Sequence, residues 1–261
     1  ALVTWPTYLG ALQALSAYEP NYDRLAPMSN RPAADYASAA AEKGGKVKFL
    51  YLSSDFANPT GETLSLDERN CVIDLGDALD AAIIEDGAYQ SLRYDGEVLP
   101  PILALEIARK GDIGACRTIY CGTFSKTLAP GLRIGWVCAA KDVISRLVIL
   151  KQAGDLHTAT INQVVIDHVA RSVFDTQVAT IRSAYSSRRD DMLKAREREM
   201  PAGVSWTRPE GGMVIRMTLA EGLDGAARLA RSLGTPRGAF APGERYFPDG
   251  TGANTFRLSF S

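Results

Sequence analysis

GTFSKTLAPGLRIGW, residues 122–136, lies where one apolar run ends and another begins. The run before it, CRTIYCGTF (116–124), and the run after it, RIGWVCAA (133–140), both read as buried strands. Lys126 falls between them, with hydroxyls at Thr123 and Ser125, then Pro130-Gly131 and a guanidinium at Arg133. A lone Ser-Lys pair is usually solvated surface. A lysine used as a covalent amine needs small hydroxyl-bearing neighbours and a nearby anion site, and this stretch offers both.

Working outward, KVKFLYLS (46–53) and AAIIEDGAY (81–89) read as two further strands, the second ending at acids and a glycine. Helical stretches separate them. One opens at Ser65, where Ser65 and Glu68 have capping-box spacing, and another is PPILALEIARKG (100–111). Residues 19–45 read as a loop plus a helix. Such alternation predicts an α/β fold, a mostly parallel sheet with helices on both faces. Ligands of these sheets gather beyond the carboxyl ends of the strands, and the chemically interesting residues here lie just past those ends. After about Asn162 the pattern changes to a long helical region, either two helices or one bent one. VSWTRPEGGMVIRMTL (204–219) and NTFRLSFS (254–261) then read as strands, with a helix from Ala226 to Leu233. The expected organisation is a large domain over residues 1–165, followed by a linking helix and a smaller α+β domain over 166–261.

Composition narrows the function. With 29 Lys and Arg against 30 Asp and Glu, the net charge is −1, which argues against nucleic-acid and membrane partners. The four cysteines, Cys71, Cys116, Cys121 and Cys138, have no Cys-x-x-Cys spacing and read as free thiols. The two histidines, His157 and His168, lack ligand spacing, so no metal site is expected. No apolar run is long enough to span a bilayer. The opening ALVTWPTYLG has no basic region and does not read as a signal peptide, which makes a cytoplasmic location the default expectation.

Five further positions carry chemical promise. Asn58 lies in DFANPTGETLSLDER (55–69), where Asn-Pro-Thr-Gly is a turn in its own right. Asp86 and Tyr89 form an Asp-x-x-Tyr pair at a strand end, equally readable as an acidic loop. Arg257 interrupts an otherwise apolar strand, which is costly unless it is paired. Tyr8, in WPTYLGALQAL, can be simple packing.

Together these strings resemble the fold type I aminotransferases. DFANPTG, KQAGDLHTATINQ (151–163) and the RLSFS ending are most similar to the branch with 2-aminoadipate and kynurenine aminotransferases. The resemblance implies pyridoxal 5'-phosphate as cofactor, held by Lys126 as a Schiff base. Once free, Lys126 would act as the general base. It further implies that Asp86 keeps the cofactor's ring nitrogen protonated, raising its pKa by about 1–3 units. Asn58 and Tyr89 would hydrogen-bond the phenolic oxygen, and Tyr8 would stack on the ring. Arg133, with Ser125 and Thr123, would grip the phosphate. Arg257 would bind the α-carboxylate of the substrate, near Asn58. Amino acid and 2-oxo acid substrates follow, as does a homodimer with its active site at the interface. Such relatives extend further on both sides, and a Gly-rich phosphate-binding turn with a Ser-Gln pair is expected outside these 261 residues. The alternative is the aminotransferase-like effector domain of a winged-helix transcription regulator. Against it, regulators commonly carry a His-Gln variant of the DFANPTG turn.

Overall fold

Strands β1 (Leu2–Thr4), β2 (Asp23–Leu25), β3 (Phe49–Leu52), β4 (Ala82–Asp86), β5 (Thr118–Thr123) and β6 (Gly135–Cys138) make one sheet, in the order β2-β1-β3-β4-β5-β6. All neighbours run parallel except β5 and β6. The computed structural model describes residues 1–227 and 240–261. β1 and β2 are three residues each, too short to show a period.

Side chains of a strand alternate between the two faces of its sheet. Leu50, Leu52 and Ile83 turn to one face and are buried with Tyr36, Val72, Ile73 and Ile102. Those four belong to helices α2 (Ala33–Glu42), α3 (Leu66–Ala78) and α4 (Ile102–Lys110). Tyr51, Ile84 and Asp86 turn to the other face, towards helix α1 (Leu9–Ser16), and line a cavity with it. α3 begins where the capping box predicts, with Ser65 and Glu68 each satisfying the other's backbone N–H. α4 ends at Gly111, whose φ of 76° suits glycine alone.

Two helices follow, α5 (Lys141–Asp155) and α6 (Thr160–Glu199). The long helical region is thus one unbroken 40-residue helix, and residue 165 falls within it. Its far half carries the second sheet, formed by β7 (Ser205–Trp206), β8 (Val214–Thr218), β9 (Ala241–Pro242) and β10 (Thr255–Ser259) in the antiparallel order β7-β8-β10-β9. Ile215, Met217 and Phe256 form its buried core against Tyr185, Met192 and Leu193 of α6. The helix expected from Ala226 to Leu233 runs into residues 228–239 and, past its first two residues, lies outside the described residues. Among the described residues, no helix is long and apolar enough to cross a membrane.

Arg69, fully buried on α3, ties the helix to the chain beyond β3. It donates to the carbonyls of Leu64, Pro100 and Ser54 at 3.0–3.1 Å and to the Asp55 carboxylate at 2.9 Å. Breaking a buried pair by removing one partner strands the other charge. Arg69→Met should therefore lower stability by about 3–5 kcal/mol, read as a shift of the urea unfolding midpoint. A loss under about 1 kcal/mol would mean that Asp55 does not depend on Arg69.

Candidate active site

The parallel sheet reverses its winding direction between β1 and β3, because β2 lies on one side of β1 and β3 on the other. Crevices form at such switch points. The segments leaving β1, β3, β4 and β5 carry, in turn, Tyr8, Asn58, Asp86 with Tyr89, and Lys126.

Asp86 ends β4 on the cavity face. Its carboxylate accepts the Tyr51 hydroxyl at 2.7 Å and the Ala88 N–H at 3.2 Å. Glu85, one residue earlier, points the other way. It is wholly buried and accepts the N–H groups of Ile102 and Leu103, at the start of α4, and the Ser54 hydroxyl. Burial raises the Glu85 carboxyl above its usual range, although those hydrogen bonds oppose the shift. The cavity beside Asp86 measures about 350 Å³ and is lined by Tyr8, Tyr51, Cys121, Gly122 and Thr123. Burial, then the Asp86 charge, pushes the Cys121 thiol up to about 11, so it is neutral at physiological pH.

Lys126 is half-buried, with its Nζ 5.8 Å from the centre of the Tyr89 ring. The Tyr89 phenol is pushed up to about 12, first by burial and then by the charges of Tyr8 and Asp86, while Arg257 opposes the shift. Tyr89 therefore offers a neutral hydroxyl. Asn58 is buried and accepts from Arg257 Nη1 at 3.2 Å through its Oδ1. A guanidinium can only donate, so this contact fixes the amide's orientation and leaves Nδ2 as the donor available to a ligand. Arg257 also lies over the Tyr246 ring, 5.7 Å from its centre. Tyr246 in turn accepts the Thr7 N–H on its carbonyl at 2.8 Å.

The structure thus brings Asn58, Asp86, Tyr89, Lys126 and Arg257 together. Three other candidates are engaged locally. The Thr123 hydroxyl donates to the Ile134 carbonyl at 3.2 Å and accepts the Ser125 N–H at 3.1 Å, bracing the lysine turn. Arg133 is exposed, has a φ of 54° and donates to the Pro130 carbonyl at 3.1 Å. The preceding Leu132 carbonyl is held by Asn162 Nδ2, from the first turn of α6, at 3.1 Å. Tyr8 is 39% exposed, and its ring lies so close over Gly10 that a Cβ there would come within 2.6 Å of it. Sequence reasoning missed Tyr51 and Tyr246. Strand parity, which puts Tyr51 on the Asp86 face, could have found the first. Among the described residues, no cluster of three or more His, Cys, Asp or Glu could hold a metal.

Comparison with known proteins gives consistent results. The family model described as aminotransferase class I and II matches residues 28–252. Aromatic-amino-acid aminotransferase 1 of Thermococcus litoralis is 40% identical over 100% of this chain and 62% of its own length. The crystal structure of a Pyrococcus horikoshii kynurenine aminotransferase in complex with PMP superposes with a TM-score of 0.89 at 39% identity, covering 99% of this chain and 63% of that one. The α-aminoadipate aminotransferase of Thermus thermophilus, complexed with N-(5'-phosphopyridoxyl)-L-leucine, gives 0.87 at 35% identity, covering 100% and 65%. The chain spans less than two thirds of the length of each.

The raised Tyr89 phenol generates a pH test. Because its neutral form persists up to about 12, ultraviolet titration of the folded protein between pH 9 and 11 should be the same for wild type and Tyr89→Phe. A phenolate signal near pH 10 that disappears in Tyr89→Phe would contradict this.

Proposed function

We propose, on the premise that this chain belongs to the class I and II aminotransferases, that it moves an amino group between an amino acid and a 2-oxo acid with pyridoxal phosphate bound beside Lys126. The observation that carries this reading is the 3.2 Å hydrogen bond between Arg257 and Asn58, which joins the second sheet to the Asn-Pro-Thr-Gly turn of the first. The residues fit the cofactor. The cavity of about 350 Å³ has the Asp86 carboxylate and the Tyr8 ring on its wall. Outside its lining, the Lys126 amine lies 5.8 Å from the centre of the Tyr89 ring, and Asn58 keeps its Nδ2 as a donor while its Oδ1 accepts from Arg257. When bound, pyridoxal phosphate supplies an electron sink for the substrate carbon that loses its proton.

The chain's own residues supply the rest. Asp86 stabilises the protonated ring nitrogen, and Tyr51 holds Asp86 in place through its hydroxyl. Lys126 would be the amine that holds the cofactor and, when free, the base for the proton at the substrate's α-carbon. Asn58 Nδ2 and the Tyr89 hydroxyl would donate to the phenolic oxygen, and Tyr8 would cover the ring. Ser125, Thr123 and Arg133 would hold the phosphate, Arg133 giving up its bond to the Pro130 carbonyl to do so. Arg257 grips the α-carboxylate with its planar fork, which a lysine could not match. Two copies are proposed to associate as a homodimer.

Two measurements test the reading. Borohydride reduction of the cofactor-loaded protein followed by peptide mapping should place the pyridoxyl group on Lys126. Labelling of Lys141 or Lys151 instead would remove the basis of the proposal. Asp86→Asn should retain cofactor yet slow the half-reaction by about 10- to 1000-fold, the rate equivalent of 1–3 pKa units at the ring nitrogen. Near-normal transamination in that variant would show that Asp86 is an ordinary loop acid.

A further inference from the structure

Arg216 stands directly opposite Arg257 in the β8–β10 register. Both side chains therefore leave the same face of the second sheet, the face turned away from α6. Directly opposed residues have Cβ atoms about 4.5–5.5 Å apart, so the two cations would repel if they ran side by side. Instead each packs on one of two consecutive rings. Arg257 lies over Tyr246 and reaches Asn58, whereas Arg216 lies over Phe247, 5.8 Å from its centre. From there Arg216 lines a separate cavity of about 570 Å³, shared with Trp5, Tyr22, Arg24 and Asp249. None of its lining residues lines the cavity beside Asp86.

The polar atoms of this second cavity are unevenly satisfied. Arg216 Nε and the Tyr22 hydroxyl are both shielded from solvent and have no hydrogen-bond partner among the described residues. Burial pulls the Arg216 guanidinium below its usual value, and the charge of Glu62 opposes the shift. Arg24 adds a second, exposed guanidinium. The two carboxylates on the cavity wall are already engaged. Asp23 pairs with Arg31 and accepts the Arg24 N–H at 2.7 Å. Asp249 accepts from Trp5 Nε1 at 3.3 Å, from the Thr251 N–H at 3.1 Å and from the Thr251 hydroxyl at 2.7 Å. All three bonds to Asp249 fall on its Oδ1, and among the described residues it pairs with no cation. With Asp23 taken by Arg31, the cavity has two guanidiniums, Arg216 and Arg24, against the single carboxylate of Asp249, and its shielded donors are unmet. Arg216 as a whole is half-buried, and a guanidinium partly withdrawn from water is costly unless an anion accompanies it.

We propose that Arg216, Tyr22 and Arg24 form an oxyanion-binding site, separate from the Lys126 site, that takes the carboxylate or phosphate group of a small molecule. Arg216 and Tyr22 are the interior donors, and Arg24 draws the anion to the mouth.

Isothermal titration of the full chain, saturated with pyridoxal phosphate and held at constant ionic strength in phosphate-free buffer, tests this. Inorganic phosphate is the probe in one arm and succinate in the other. Saturable binding is expected in at least one arm, and which arm responds identifies the oxyanion. Arg216→Gln should weaken that binding about tenfold or more, the equivalent of one charge-assisted hydrogen bond. Tyr22→Phe, which keeps the ring and its packing, should weaken it in the same direction and serves if Arg216→Gln fails to fold. No saturable binding in either arm, or binding unchanged in both variants, would overturn the proposal and leave the cavity to water. Because the residues tested do not line the cavity beside Asp86, the same titration without pyridoxal phosphate should give the same result, which separates this test from the reaction proposed above.

Discussion

A buried carboxylate, Asp55, holds the site together. Its side chain is 3% exposed and lies between two guanidiniums, Arg69 at 2.9 Å and Arg93 at 3.4 Å. An isolated ion at that depth would cost several kcal/mol, so both arginines are needed in place. Arg93 continues the chain to Glu210 at 2.7 Å and to the Asp95 carbonyl at 3.1 Å. The segment after β3, the segment after β4 and the Pro-Glu-Gly-Gly loop before β8 are thereby one polar unit. Their backbones close up accordingly. A Cβ on Gly211 would lie 2.3 Å from the Leu92 carbonyl and 2.4 Å from the Phe56 ring. Asn58 follows Asp55 by three residues and Arg257 pairs with the strand that follows Glu210, so this ion chain is what lets the two meet.

The end of β4 shows how few residues are needed to divide two tasks. Consecutive side chains on a strand face opposite ways, so the neighbouring acids Glu85 and Asp86 enter different environments. Glu85 receives two N–H groups from the start of α4, where the helix dipole favours a negative charge, and thereby fixes the helix to the sheet. Asp86 receives a single side-chain donor, Tyr51, and keeps an oxygen edge towards the cavity.

Much of this was legible in the sequence where the signal is local. Strands β3, β4 and β5 are apolar runs, as is β6, although β6 lies exposed at the sheet edge and is not buried as its run suggests, and the capping box at Ser65 marks the start of α3 to the residue. The lysine turn and the Asn-Pro-Thr-Gly turn are punctuated by glycine and proline. Where the signal depends on partners, the sequence is silent. β1 and β2 contribute three residues each, and only pairing with β2 and β3 makes a strand of β1. Tyr51 reads as packing until the register with β4 puts it beside Asp86. Arg216 breaks an apolar strand as Arg257 does, yet nothing in VSWTRPEGGMVIRMTL says that the two stand opposite each other. The choice between one long helix and two was open to inspection, because residues 160–199 contain no glycine or proline to interrupt them.

Helix α6 has a mechanical consequence. At 1.5 Å per residue its 40 residues form a beam of about 60 Å. The beam is pinned near its middle, where Arg182 donates to the Ser91 carbonyl at 2.7 Å and Arg189 to the Pro209 carbonyl at 2.9 Å. Measured from Arg182, one arm runs about 33 Å to the start of the helix, where Asn162 grips the loop before Arg133, and the other about 26 Å to its end. The second sheet, with Arg257, packs on that other arm. A tilt of about 2° about this fulcrum displaces each end by roughly 1 Å, in opposite senses. A displacement of that size is enough to break a 3.2 Å hydrogen bond such as Arg257 to Asn58. The bending stiffness of a single helix therefore sets how closely the Arg133 loop and Arg257 can be kept in step.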